Sequence, residues 1–539
     1  MVKLPRMTEA DENQRCVHRY HQRSKHHLDR YALGPDRMDW ATQPDPFRRF
    51  AGAPKLNLPL GADHRIVRYA ELFQAGAVIT PEPLSLESVA VLLELSFGLS
   101  AWKSWDGDRW ALRCNPSSGN LHPTECSIAV AGVDGIANGI FHYACRDHLL
   151  EHRCAVSLLF SGVLVGLSSI HWREAWKYGE RAFRYCQLDI GHGLAALRYA
   201  AGVLGWRVHL LDDWSDGDVA GLLGLNRDQD YGVAEREVPD LLCTVGPNPE
   251  QRISPEPMLA AVAAGHWYGQ ANVLSAHHRH NWPVIDEVHQ ATVKPRTVSQ
   301  RIDLMELPPP VAVTGSQSAA ALIRQRRSAQ AFDGVTVASA ETLWRLLDAT
   351  LPRPGLPPFD VWPDRPQVHL LLFLHRVEGV APGLMFFPRR NGVVGDIRPL
   401  MRVDFAWTEE QGPEHLHLYR LFTGDCRQLA TTLACHQEIA GDSALSVGML
   451  AAFDQSLAEG SWLYRRLYWE AGMIGQAFYL EAEAAGLRGT GIGCFFDDAV
   501  HEVCGLDGTA FQSLYHFTLG GALSDRRIQT LPPYGHLRR

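Results

Sequence analysis

The sequence predicts an α+β fold built twice within one chain. Three observations carry that expectation: matching segments recur in the same order in the two halves, a length of 539 residues exceeds what one hydrophobic core supports, and a proline-punctuated stretch separates the halves. Hydrophobic residues make up 46% and charged residues 21%, which is the balance of a globular protein rather than of a disordered or fibrous one.

The repeat is legible at four places. Ser85-Leu-Glu-Ser-Val-Ala-Val-Leu-Leu-Glu-Leu and Ser339-Ala-Glu-Thr-Leu-Trp-Arg-Leu-Leu-Asp-Ala each set a capping serine before apolar residues at helical spacing, so both read as helices. Residues 127–135, continuing to Gly139-Ile-Phe-His-Tyr, match residues 369–379, continuing to Gly383-Leu-Met-Phe-Phe. Each reads as a strand, a turn and a second strand, with the same glycine spacing. Residues 191–202 parallel residues 475–486, an Ala-rich helix opened and closed by glycine. Each half then ends in a short helix (about 218–223 and 499–504), a Gly-Leu pair and a strand reaching Gly246 or Gly520. The expected domains are 15–250 and 319–539. The connector between them, 251–318, is rich in proline, with a short helix near 258–268 docked on the first half.

Composition excludes several function classes. The net charge of −9 comes without a basic stripe, so nucleic acid is not an expected partner. No apolar run approaches the roughly 20 residues of a membrane span, and the start lacks the apolar core of a signal peptide. A cytoplasmic protein without membrane contact is expected. The 11 cysteines form no CxxC pair and read as reduced core residues. His26-His27 and His277-His278-Arg279-His280 lack a second ligand group at metal-binding spacing, so no metal is expected.

The chemistry is concentrated where the halves differ. Only the first carries Arg113-Cys-Asn-Pro-Ser-Ser-Gly-Asn-Leu-His-Pro-Thr-Glu125. There Pro116 and Pro123 restrict φ, Gly119 permits close approach, and Ser117, Ser118 and Asn120 offer small hydrogen-bonding groups suited to the edge of a flat heteroaromatic ring. The second half has a proline-rich segment, 351–366, in its place. Only the second half carries Arg326, Arg327 and Ser328 at a helix end, suited to a phosphate. It also has Gly489-Thr-Gly-Ile-Gly493, read as a loop with accessible amides, and Arg526 and Arg527 after the last strand.

These four features together resemble the nitroreductase family of flavoproteins. Tyr20-His-Gln-Arg-Ser-Lys25, the run 39–50 and Trp172-Arg-Glu-Ala-Trp-Lys-Tyr-Gly-Glu-Arg181 look like its SagB-type branch, best known for azoline dehydrogenases. The resemblance implies two tandem nitroreductase-like domains, each a central mixed sheet flanked by helices, forming an intramolecular pseudo-dimer. It implies one FMN between the halves, so that homodimerisation is not required for the site. The second half would hold it through Arg326, Arg327, Ser328, Gln330, Gly491, Ile492, Gly493, Arg526 and Arg527. The first would contribute Pro116, Ser117, Ser118 and Asn120. Gln330 stands where many relatives place a cation. A counterpart site would need Arg23, Ser24 and Lys25 against 351–366, beside a loop blocked by Trp206, and is expected to be empty.

The same resemblance makes Lys177 and Tyr178 the base of an FMN-dependent dehydrogenase acting on azoline-type heterocycles in a small-molecule or peptide substrate. Lys177 would need to be partly neutral, with Arg173, Arg181 and Arg184 as neighbouring cations that could depress it. Two alternatives stay open. One is a nitro or quinone reductase with NAD(P)H as transient reductant, since no Rossmann fingerprint is present. The other is a non-catalytic scaffold subunit of a peptide-modification complex.

Overall fold

The computed structural model describes residues 8–74, 79–298, 306–312 and 315–537. Two large sheets form from corresponding strands. In the first half the main row runs Leu149–Ala155, Gly139–Ala144, Thr124–Ala131, Gly162–Ser169, Val238–Gly246, Arg207–Leu210. In the second it runs Tyr419–Thr423, Gly383–Phe387, Val368–Leu374, Leu445–Ala452, Phe511–Gly520, Arg488–Ile492. The central strands Thr124–Ala131 and Val368–Leu374 are buried along their whole length, and the second reads as a nearly continuous apolar run rather than an alternating one. One expectation needs correcting: every described pairing in both sheets is antiparallel, so the sheets are not mixed.

The capped helices form as the serines dictate. Ser85 accepts from the Ser88 N–H before Leu86–Ser96, and Ser339 accepts from the Thr342 N–H before Ala340–Asp348. The Ala-rich segments are the ends of two longer central helices, Ala182–Val203 and Leu463–Ala484. Each packs on its own sheet and against the other helix, giving an order of sheet, helix, helix, sheet.

The two central helices meet at glycines. A Cβ at Gly191 would stand 2.1 Å from the Trp469 carbonyl oxygen, and one at Gly472 would stand 2.2 Å from that of Leu188. Beside this crossing the Trp469 indole N–H donates to Gln187 Oε1 at 2.6 Å, and His192 Nδ1 lies 3.3 Å from Gln476 Oε1. Burial pushes the His192 pKa down to about 3, so the ring is neutral.

Each half also extends an arm across the other. After the helix Glu9–Arg23, His26 bridges to Phe496, Lys25 pairs with Asp498 at 2.6 Å, and Ser24 accepts from Arg184 at 2.9 Å. Burial alone would raise the Asp497 carboxyl, but Arg181 and Arg184, at 2.9 and 2.6 Å, hold it well below the usual range. From the other end, the strand Gln529–Leu531 pairs with Leu99–Trp105, and the Tyr534 hydroxyl accepts from the Leu99 N–H at 2.8 Å.

The segment 251–318 is more than a linker. Its helix Pro255–Ala264 packs on Asp216–Leu223, its helix Pro283–Ala291 packs on Glu9–Arg23, and Gln270–Ala271 pairs with Phe50–Ala51. Residues 299–305 and 313–314 of that segment lie outside the described residues. Among the described residues, no helix is long and apolar enough to cross a membrane.

Two residues that a counterpart site would draw on, Ser24 and Asp360, stand apart. Ser24 is held by Arg184, whereas Asp360 of the proline-rich segment is held by Arg198 at 2.7 Å. These arginines sit fourteen residues apart on one helix, about 21 Å at 1.5 Å per residue.

Gly472→Val should lower stability by about 3 kcal/mol or more, because the new methyls meet backbone and not a yielding side chain. Gly395→Ala, where nothing lies within 4 Å of an added Cβ, should be near neutral. Urea unfolding of both variants checks the assignment, and equal stabilities would contradict it.

Candidate functional site

A cavity of about 460 Å³ opens where the two halves and the carboxyl-terminal arm meet, within the range of small-molecule and cofactor sites. The first half supplies one wall through the hairpin Leu99–Trp105 and Asp108–Arg113. Its two-residue turn, Asp106-Gly107, has φ of 50° and 88°, the geometry that matches strand twist. The hairpin brings Lys103, Trp110 and Leu112 to the cavity.

The loop at 115–122 completes that wall. Gly119, Asn120 and His122 adopt φ of 58°, 59° and 53°, and their polar groups hold one another in place. The Asn120 amide donates to the Ala111 carbonyl at 2.9 Å, its Oδ1 lies 2.9 Å from His122 Nε2, and the His122 N–H donates to Ser117 Oγ at 2.8 Å. Pro116, Ser117, Ser118 and Asn120 all line the cavity, with Asn115 and His122 beside them. Asn115 Oδ1 and His122 Nδ1 are buried without a hydrogen-bond partner.

The second half supplies the opposite wall. The helix Ala319–Gln325 ends just before Arg326, Arg327, Ser328 and Gln330, all of which line the cavity together with Gly491 and Gly493. Glycine is required at both positions, one in the strand and one just past its end: an added Cβ at Gly491 would stand 1.7 Å from the Tyr515 hydroxyl, and one at Gly493 2.3 Å from the Tyr185 ring. The floor comes from the helix crossing, through Asp189, His192 and Tyr479.

Charge is distributed unevenly here. Lys103, Arg326, Arg327 and Arg488 converge on the cavity, and among the described residues none has a carboxylate within 4.0 Å. Arg326 donates to the Arg113 carbonyl at 3.1 Å and stacks over the Tyr479 ring, while its Nε is buried and unpartnered. Burial and then Arg326 push the Arg327 pKa down to about 10; burial, then Arg327 and Arg488, lower that of Lys103. These four cations have no carboxylate at ion-pair distance, while Glu483 acts on the three arginines at longer range and Asp525 lines the same cavity.

Several expected residues stand elsewhere. The segment 488–492 is an edge strand rather than a loop, and the Gly491 N–H donates to the Tyr479 hydroxyl at 3.0 Å, which in turn bonds Ser328 at 2.8 Å. Ile492 points into a separate apolar cluster with Phe495 and Val500, as strand alternation requires. Arg526 and Arg527 are exposed and outside the cavity wall, and Arg527 pairs with Asp525 at 2.7 Å. The wall there is made instead by Ser524, Asp525 and Ile528.

Lys177 and Tyr178 end the helix His171–Tyr178, directly behind the 115–122 loop. A Cβ at Gly119 would stand 2.6 Å from the Tyr178 hydroxyl and 3.2 Å from Lys177 Nζ. The three arginines expected to act on Lys177 are instead engaged with carboxylates, Arg173 with Glu125 and Arg181 and Arg184 with Asp497. Burial and then Glu174 push the Tyr178 hydroxyl pKa well up.

Lys103, Arg488, Tyr479 and Asp189 were not singled out from the sequence. Asp106-Gly107 was a legible hairpin signal that would have placed Lys103 on a strand. The other three carry no local signal, since they reach the cavity only through the pairing of the halves.

Comparison with known proteins bears on this arrangement. Residues 427–521 match the Nitroreductase family. A curated protein of Methanocaldococcus jannaschii named "Putative nitroreductase MJ1384" is 22% identical over 178 residues, 30% of this chain and 81% of that protein. A crystal structure described as a "putative nitroreductase" from Anabaena variabilis is 21% identical, covers 94% of this chain and 99% of its own, and superposes with a TM-score of 0.69. The Escherichia coli microcin synthetase McbBCD complex is 17% identical over 37% of this chain and 70% of its own, with a TM-score of 0.27. Residues 427–521 of the second half thus match the Nitroreductase family, within an α+β architecture shared along nearly the whole chain with the Anabaena structure.

Proposed function

We propose that this chain is an FMN-dependent oxidoreductase holding one flavin per polypeptide between its halves. The single observation that carries this reading is the convergence of four carboxylate-free cations with a ring-edge loop in one cavity. Arg326, Arg327, Arg488 and Lys103 would bind the phosphate, Ser328 and Gln330 would flank the chain leading to it, and the loop at 116–120 would lie along the ring. The unpartnered buried atoms of Arg326, Asn115 and His122 fit a polar heteroaromatic ligand. When bound, the flavin supplies reversible two-electron chemistry, and the chain supplies orientation and charge. Because both walls belong to one chain, homodimerisation is not needed.

Two substrate readings follow. In the first, a SagB-type dehydrogenase oxidises an azoline-type ring in a small-molecule or peptide substrate in the cytoplasm, with Lys177 and Tyr178 as base. In the second, a nitro or quinone reductase takes its electrons from NAD(P)H as a transient visitor. The position of Lys177 and Tyr178 behind Gly119, and a carboxyl group lining the cavity at Asp189, favour the second. Stopped-flow mixing with NADH or NADPH separates them, since rapid bleaching of bound flavin belongs to the reductase.

Purified protein should bind 1 FMN per chain, seen by absorbance after extraction. Arg326→Ala should weaken binding about 10- to 100-fold, from about 1.5 to 3 kcal/mol per charge-assisted bond. Fluorescence-quenching titration measures this, and either unchanged affinity or two flavins per chain would sink the reading. If Lys177 is the base, Lys177→Ala should lower azoline oxidation about 10²- to 10⁴-fold with normal FMN content. Full activity in that variant would remove Lys177 from the chemistry.

A further inference from the structure

Behind the ring-edge loop lie two carboxyl groups that no ion pair accounts for. Glu174, on the helix His171–Tyr178, is 0% exposed, and Asp189, on the first central helix, is 2% exposed and lines the cavity. Ser117 Oγ donates to Glu174 Oε1 at 3.4 Å, and the Ser118 N–H donates to Asp189 Oδ1 at 3.3 Å, so adjacent residues of one loop hold the pair. Glu174 Oε2 and Asp189 Oδ2 are buried with no hydrogen-bond partner. Among the described residues, neither group has a cation within 4.0 Å.

Two neighbouring buried carboxylates cannot both be ionised without a cation to compensate them. The groups around them do not provide one at contact distance. Lys177 and Arg113 act only at longer range, Tyr178, Cys186 and Tyr515 are neutral, and Asp240 adds a further acid beside Cys186. Burial pushes the Asp189 pKa up to about 8, and burial followed by the Asp189 charge pushes Glu174 well above the carboxylate range. Near neutral pH both therefore carry protons. The same wall holds the unpartnered Asn115 Oδ1 and His122 Nδ1, so the carboxyl faces a polar cavity rather than a sealed core.

We propose that Asp189, backed by Glu174, is the proton donor to a quinone-type acceptor reduced in this cavity. The inference rests on the flavin reading above and names its substrate class. A quinone becomes a hydroquinone by gaining two electrons and two protons. A flavin held in the cavity, with a nicotinamide as its reductant, would supply the electron pair and one hydrogen nucleus as hydride. The Asp189 O–H bond breaks to supply the second proton to the quinone oxygen, leaving a carboxylate that recovers a proton from solvent. Glu174 stays neutral throughout, since the charge left on Asp189 after transfer raises it further, and it acts as a positioning residue, held to the same loop through Ser117 beside the Ser118 that holds Asp189.

The test uses the full chain and Asp189→Asn, with Glu174→Gln as the second variant should the first fail to fold. In protein without added substrate, infrared difference spectra should show a protonated-carboxyl C=O band that disappears as pH rises through about 8 and is missing from Asp189→Asn. In FMN-loaded protein reduced beforehand, reoxidation by p-benzoquinone should slow about 10²- to 10⁴-fold in Asp189→Asn, with loss of the rate decrease near pH 8 and unchanged FMN content. Glu174→Gln, which keeps a neutral side chain at that position, should keep the band. Absence of the band, or wild-type reoxidation by Asp189→Asn, overturns the proposal. A chain that shows the band but binds no FMN overturns the flavin reading, and with it the quinone step, while leaving the protonated pair in place.

Discussion

The close approach of the two central helices at Gly191 and Gly472 is the constraint on which the rest of the structure depends. Backbone meets backbone there, because any side chain would occupy the space of the facing carbonyl. That contact brings Asp189 and His192 of one helix near Tyr479 of the other, and these residues become the floor of the cavity. It also fixes the separation of the two sheets, and hence the distance between the first-half loop and the second-half strand that form the walls. A wider crossing would leave two half-sites facing water.

Exchanged arms secure this arrangement with charge. Arg181 and Arg184 reach Asp497 across the halves, Arg465 reaches Asp216 at 2.6 Å, and Arg198 reaches Asp360. Losing either member of such a buried pair would strand the other, so these pairs specify one mode of association more than they add net stability. Against that background of matched ions, the cavity stands out twice. Its outer wall gathers four cations with no carboxylate at ion-pair distance, and its floor holds Asp189, backed by Glu174, with no cation at contact distance. Under the proposed flavin reading, a phosphate would answer the first imbalance and bound protons the second.

Much of the fold was legible from residue order alone. Serine caps, glycine-spaced strand pairs and Ala-rich helices recur in register, and each depends on local chemistry acting within a few residues. The ring-edge loop was legible for the same reason, as were Arg326 to Ser328 at a helix end. The reading failed where neighbours in space outweigh neighbours in sequence. Gly489 to Gly493 looked like a loop because glycines usually break strands, yet Tyr515 and Tyr185 need the missing side chains as room for their own rings. The family resemblance made Arg526 and Arg527 cofactor ligands because they follow the last strand, but in the structure they are exposed and outside the cavity wall.

The sequence by itself determined that the chain is a duplicated α+β protein and that only one combination of its halves carries both a ring-edge loop and a basic helix end. Those are properties of local pattern, set by side-chain periodicity, capping and backbone freedom. Only the tertiary structure decided which cations reach the cavity, that Tyr479 takes the Gly491 amide, that Lys177 and Tyr178 stand behind Gly119, and that Glu174 and Asp189 share a buried space. Each of those outcomes depends on distances between residues far apart in the chain, and burial changes a carboxyl or guanidinium only once the halves have closed around it.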